Sequence, residues 1–112
     1  MTIIQKEKDG IMELSISGRL DAVSAVEADK DFNSVIDEGH ETLLVDLSAL
    51  NYISSAGLRV LLVVAKRIQQ NNGKVVLCAL SENVKEVFEI SGFSSIFRIF
   101  PTNEEAVKFL KT

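Results

Sequence analysis

The sequence predicts an α/β fold, a mixed sheet with helices packed mainly on one side, and three observations predict it. Strand-like and helix-like stretches alternate along the chain. Two short apolar runs, Leu43-Leu44-Val45 and Val75-Val76-Leu77-Cys78-Ala79, read as strands buried on both faces. An Asp9-Gly10 dipeptide near the start favours a tight turn and joins two strands into an antiparallel hairpin.

The hairpin strands are Thr2 to Lys8 and Ile11 to Ser17. In the second, Met12, Leu14 and Ile16 alternate with Glu13, Ser15 and Ser17, so one face is buried and one is wet. Gly18-Arg19-Leu20-Asp21 breaks the alternation. A helix follows from Val23 to Glu38, with Ala25, Ala28, Phe32, Val35 and Ile36 on one stripe and Gly39 stopping it. Thr42 to Leu47 forms the next strand. Tyr52-Ile53 then lead into Ser54-Ser55, which open a helix with Leu58, Leu61, Leu62, Ala65 and Ile68 on its apolar side and Asn71-Asn72-Gly73 at its end. After the second apolar strand, Ser81 is a natural N-cap for a helix carrying Val84, Val87 and Phe88, closed by Ser91-Gly92. Ile96 to Phe100 is a short last strand. Thr102 and Glu105 form a capping box that opens a terminal helix.

The order β-β-α-β-α-β-α-β-α gives a four- to five-stranded sheet. Helical connections favour parallel pairing, and the hairpin adds an antiparallel edge. Leu43, Val45, Val75 and Leu77, with Leu58, Leu61, Leu62 and Phe88, are the expected core.

Composition bounds the function. With 112 residues, 46% hydrophobic and 25% charged, the chain reads as a single domain, 1–112, able to build a core without disulfides or a structural metal. Sixteen acids against 12 bases leave a net charge of −4, which argues against a nucleic-acid partner, because that affinity rests on cations neutralising phosphates. One His (His40) and one Cys (Cys78) exclude an internal disulfide and any zinc site built from several such side chains. No apolar run approaches the roughly 20 residues that span a bilayer. The start of the chain lacks a signal peptide's apolar stretch, so a cytoplasmic protein without membrane contact is expected.

No catalytic constellation emerges. His40, the only base of the usual kind for a nucleophilic triad, sits in a helix-to-strand turn and reads as a solvated residue. No glycine cluster forms a dinucleotide fingerprint. Gly73-Lys74 echoes the end of a phosphate-binding loop, but Ile68 stands where that motif needs its first glycine. Cys78 reads as a small hydrophobe in a buried strand. No enzyme, cofactor or metal is expected.

The unusual segment is Ser54-Ser55-Ala56-Gly57. One serine suits a helix cap. Close packing against the sheet accounts for the other small residues. A bare helix N-terminus that another molecule can approach, and where an anion is welcome, accounts for them equally.

Leu44-Val45-Asp46-Leu47-Ser48 followed by Tyr52-Ile53-Ser54-Ser55-Ala56-Gly57-Leu58 resembles the signature of the STAS domain, and within it the stand-alone bacterial anti-sigma factor antagonists. Gly18-Arg19-Leu20-Asp21 is similar to that family's turn after the second strand. Gly73 to Cys78, Val84 to Phe93, Ile96-Phe97 and Glu105-Ala106 fit its later elements, so the resemblance covers almost the whole chain. It implies a STAS-like fold and partner switching. The unmodified antagonist binds an anti-sigma factor that is also a serine kinase, and so frees a sigma factor. Phosphorylation ends the binding and a serine phosphatase restores it. The resemblance places the phosphorylated serine on Ser55, two residues before Gly57, and the family's loop aspartate on Asp21. Ser54 stands where many phosphorylated members carry Asp, which makes it the alternative acceptor. The expected partner surface comprises Asp21, Ser54, Ser55, Ala56 and Gly57, with Arg59 as its charged contact. The other readings are a STAS module serving a different partner (a signalling kinase, a transport or stress complex) and a regulatory domain that binds a small molecule or nucleotide at the helix N-terminus.

Overall fold

The computed structural model describes residues 1–112. Strands β1 (Thr2–Lys8) and β2 (Ile11–Leu20) precede helix α1 (Ser24–Asp37). Strands β3 (Thr42–Asp46) and β4 (Leu50–Ile53) lead into α2 (Ser55–Gln70). Strand β5 (Lys74–Cys78), helix α3 (Glu82–Ser91), a 3-10 turn at Phe93–Ser95, β6 (Arg98–Phe100) and α4 (Asn103–Leu110) complete the order. The sheet runs β1-β2-β3-β5-β6. Its β1–β2 edge is antiparallel and its other pairings are parallel, as the alternating pattern implies. The hairpin turn has positive φ at both Asp9 (55°) and Gly10 (79°), the backbone its dipeptide favours.

The sheet has six strands rather than four or five, because β2 is longer than its alternation suggests. Gly18, at φ 88°, sits at a bulge instead of ending the strand. Before the bulge, Met12 to Ser15 pair with Leu43 to Asp46 of β3. After it, Gly18 to Leu20 pair with Leu50 to Ile53 of β4. A short stretch that reads as loop is thereby drawn into the sheet.

Side-chain parity along β3 and β5 explains their continuous apolar runs. Leu43, Val45 and Leu77 face the main core with Leu14 and Ile16, beneath Phe32 and Val35 of α1, Leu61 and Val64 of α2, and Phe88 of α3. Leu44, Val76 and Cys78 face the opposite side, where Ala106 of α4 and Ile11 cover them. Three helices therefore pack on one face and α4 alone on the other.

Helix α1 buries the stripe expected of it, Ala25, Ala28, Phe32, Val35 and Ile36. In α2 the stripe is turned: Val60 and Val64 are buried alongside Leu58, Leu61 and Ile68, and Leu62 is only half-buried. Val60 to Ala65 are all apolar, so periodicity leaves the phase of this helix undetermined and packing decides it. Val75 is half-buried as well, one residue into β5. His40 is not freely solvated. Its side chain is 18% exposed and lies 3.7 Å from Glu7 and 3.9 Å from Glu38.

Candidate functional site

The ends of β2 and β4 build the site. Leu20 pairs with Ile53, and the backbone N–H of Ser54 donates to the Leu20 carbonyl at 2.9 Å. The residue after Leu20 is Asp21 and the residue after Ser54 opens α2, so the Asp21 loop and the start of α2 lie side by side.

Ser54 and Ser55 have different positions. Ser54 is the N-cap in extended backbone, and its Oγ accepts a hydrogen bond from the Gly57 N–H at 3.2 Å. It is half-buried. Ser55 is the first residue of the helix, exposed, and its hydroxyl takes no part in the cap. The first turn of α2 carries no acidic side chain, so the positive end of its dipole meets no carboxylate of its own. Ala56 is half-buried and Arg59 is exposed one turn further on.

Gly57 is buried rather than presented. A Cβ there would lie 2.8 Å from both the Leu20 side chain and the Leu20 carbonyl oxygen, and 2.9 Å from Ile53. The glycine lets α2 start directly against the β2–β4 pair, and no larger residue fits without moving backbone. A bulky substitution such as Gly57→Trp therefore tests the fold, not the surface.

Asp21 shapes its own loop. Its Oδ1 accepts from the N–H groups of Val23 (3.1 Å) and Ser24 (3.0 Å), while its own N–H donates to Ser24 Oγ at 2.9 Å. The Ser24 hydroxyl also donates to the Arg19 carbonyl at 2.8 Å. The hydrogen bonds from Ser24 hold the Asp21 carboxyl below the usual aspartate range. These reciprocal hydrogen bonds between Asp21 and Ser24, three apart, fix the turn that leads from β2 into α1. Asp46 is less involved than its place in the motif suggests. Its carboxylate accepts from the Ser48 N–H at 2.9 Å and from Asn103 of α4 at 3.1 Å, on the face away from α2.

The structure adds neighbours that pattern alone did not single out. Val23, 85% exposed, and Val26, 61% exposed, stand at the start of α1, and Val63 is exposed one turn beyond Arg59. The Arg19 guanidinium lies 4.2 Å from the centre of the Tyr52 ring, one pair before Leu20 and Ile53 in the β2–β4 register. Val26 lies off the buried stripe of α1, a signal already present in the sequence. The Arg19–Tyr52 contact had none, because it depends on the bulge.

The sheet with helices α1 to α3 on one face, and the Gly-x-Leu-Asp turn set against the start of α2, match one family. Residues 2–106 match the STAS domain model. The chain belongs to the STAS domain family. Among its relatives is BtrV of Bordetella bronchiseptica, a candidate anti-sigma factor antagonist, 40% identical over 112 residues that cover all of this chain and 97% of that protein. The anti-sigma-F factor antagonist RsfB of Mycobacterium tuberculosis is 26% identical over 96% of this chain and 87% of its own. Among solved structures, a candidate anti-sigma factor antagonist of Thermotoga maritima superposes with a TM-score of 0.93 at 23% identity, covering 98% of this chain and 95% of that one. The unphosphorylated form of the anti-sigma factor antagonist SpoIIAA superposes at 0.85 with 20% identity, covering 98% and 96%. The STAS fold is thus shared over nearly the whole chain.

Proposed function

We propose that this STAS protein is an anti-sigma factor antagonist whose partner binding is switched off by phosphorylation of Ser55. In the unmodified state the Asp21 loop, the start of α2 and Arg59 engage an anti-sigma factor that is also a serine kinase, and a sigma factor is released. Transfer of phosphate to Ser55 ends the complex, and a serine phosphatase restores it. The protein acts by binding, not by catalysis, and works in the cytoplasm.

One observation carries this reading: at the start of α2, Ser54 is occupied in capping while Ser55 offers an exposed, uncommitted hydroxyl beside the Asp21 loop. That division of labour favours Ser55 over Ser54 as acceptor. The exposed valines at the start of α1 extend the same surface with apolar area. Relatives along the full chain are anti-sigma factor antagonists, which supports the partner class.

The physics of the switch follows from the site. A phosphate adds about −1.5 to −2 charge and strong acceptors. Within the chain the helix N-terminus tolerates it. Across an interface it needs room and a countercharge, and the nearby Asp21 supplies the opposite of one. The test is incubation with the candidate kinase and ATP, followed by intact mass and site mapping. A single phosphate on Ser55 is expected. Modification of Ser54 would move the switch by one residue, and no modification by a kinase that binds the protein would remove it.

A further inference from the structure

We propose that a phosphate on Ser55 is paired by the Arg59 guanidinium of the same helix, and that this pairing withdraws Arg59 from the partner surface. The pairing presupposes the switch at Ser55 and says how that switch acts. The chain has four arginines, and three of them are occupied. Arg67 donates to Asn33 and pairs with Asp37, Arg19 lies over the Tyr52 ring, and Arg98 lies 4.6 Å from the centre of the Phe109 ring. Arg59 is exposed and has no hydrogen-bond, ion-pair or aromatic partner in the chain.

Helix geometry brings the two groups together. Ser55 is the first residue of α2 and Arg59 stands four residues on, so both lie on one face, with Cβ atoms about 5–6 Å apart. Side chains of a helix lean toward its N-terminus, which carries the Arg59 guanidinium back over the turn that holds Ser55. An anion four residues before a cation is also the more favourable order of such a pair. Nothing in the helix competes. Residues 55–70 include no Asp or Glu, and the other positions three or four from Arg59 are Ala56, Leu62 and Val63. Asp21, the carboxylate of the neighbouring loop, is held by the Val23 and Ser24 N–H groups and makes no pair with Arg59. Unmodified Ser55 is neutral, which leaves Arg59 free for a carboxylate of the anti-sigma kinase. A phosphate brings about −1.5 to −2 charge and three acceptor oxygens to the same spot, and a guanidinium pairs two such oxygens at once. Arg59 then has to leave the phosphate before it reaches the partner. Phosphorylation thereby removes a cation from the surface as well as adding an anion to it.

The test uses the full chain with phosphoserine incorporated at position 55 during synthesis, so that no kinase is needed to make it. The second ionisation of the phosphate, followed by phosphorus NMR, should fall about 0.2–0.5 pH units lower in the parent than in Arg59→Gln, because the dianion gains most from the pair. Arg59→Lys should restore part of the difference. Lys66→Gln, which removes the same charge from an exposed position three turns along α2, should leave the parent value unchanged. Thermal melts establish that the variants are folded. Titration of the candidate kinase with the unmodified and phosphorylated forms of the parent and of Arg59→Gln supplies a second readout. Phosphorylation should reduce the parent's affinity by a factor about 2–5 times larger than in Arg59→Gln, since only the parent has a pair to open. Equal ionisation in the parent and Arg59→Gln, or a shift produced by Arg19→Gln instead, would overturn the pair. An equal loss of affinity in the parent and Arg59→Gln would overturn the withdrawal. If phosphorylation left the parent's affinity unchanged, the switch at Ser55 would fail, and the ionisation would still decide the pair.

Discussion

Ser54 and Ser55 lie one residue apart at the start of α2, yet their side chains face different demands. The Ser54 Oγ satisfies a backbone N–H that would otherwise be open, so Ser54→Ala should lower stability by about 1 kcal/mol in denaturant titrations while Ser55 remains a phosphate acceptor. Ser55→Ala should leave stability within about 0.5 kcal/mol of the parent, as for a surface change, and abolish the modification. An inverse result would exchange their roles. Gly57 is constrained more tightly than either. The Leu20 carbonyl that a Cβ would strike is backbone and cannot rotate away, so Gly57→Ala should cost about 1–3 kcal/mol by overpacking. A neutral change in melting temperature would show that α2 can rise from the sheet. The cap was legible in the sequence as one of two serines, and the structure separates them. The burial of Gly57 was not legible, since a small residue in a loop-like motif reads equally as open surface or as close approach.

At the scale of elements, α1 was readable from its single buried stripe, and α3 and α4 from an apolar side that follows a clear N-cap. Ser81 accepts from the Val84 N–H at 3.4 Å and Thr102 from the Glu105 N–H at 3.2 Å, as their spacings imply. Helix α2 was harder, because an unbroken apolar run carries no phase. Leu61 is buried in either phase and 1% exposed in the structure, so Leu61→Ala should cost about 2–5 kcal/mol in denaturant unfolding. A loss below about 0.5 kcal/mol would mean that the helix faces another way. Strand β4 escaped notice because a bulge at Gly18, not a hydrophobic pattern, brings it to β2. Helix α4 gives a further check. It seals Cys78, whose thiol is pushed up to about 12 by burial, with the Asp46 carboxylate adding to the effect. A thiol reagent at neutral pH should therefore modify the unfolded chain readily and the folded chain only through opening of α4. Fast modification of the native protein would show that α4 is loosely docked.

Over the whole molecule the sheet divides two surfaces. The α1–α2 face carries exposed valines, Arg59 and the Ser55 hydroxyl, and the α4 face carries lysines and carboxylates in nearly equal number. Arg67 holds the far ends of α1 and α2 together, donating to Asn33 at 2.6 Å and pairing with Asp37. The two helices therefore offer a fixed surface, and phosphorylation is expected to alter its charge without reshaping the fold. The general architecture was legible because β-strand and helix periods alternate cleanly. The partner was not, since nothing in a binding surface names what it binds. The measurement that bears most directly on the central claim is titration of the candidate anti-sigma kinase with unmodified and Ser55-phosphorylated protein, in parallel with thermal melts of both forms. The account predicts nearly unchanged melts and an affinity lower by a factor of about 10³ for the phosphorylated form, corresponding to about 4 kcal/mol. Equal affinity of the two forms would contradict it.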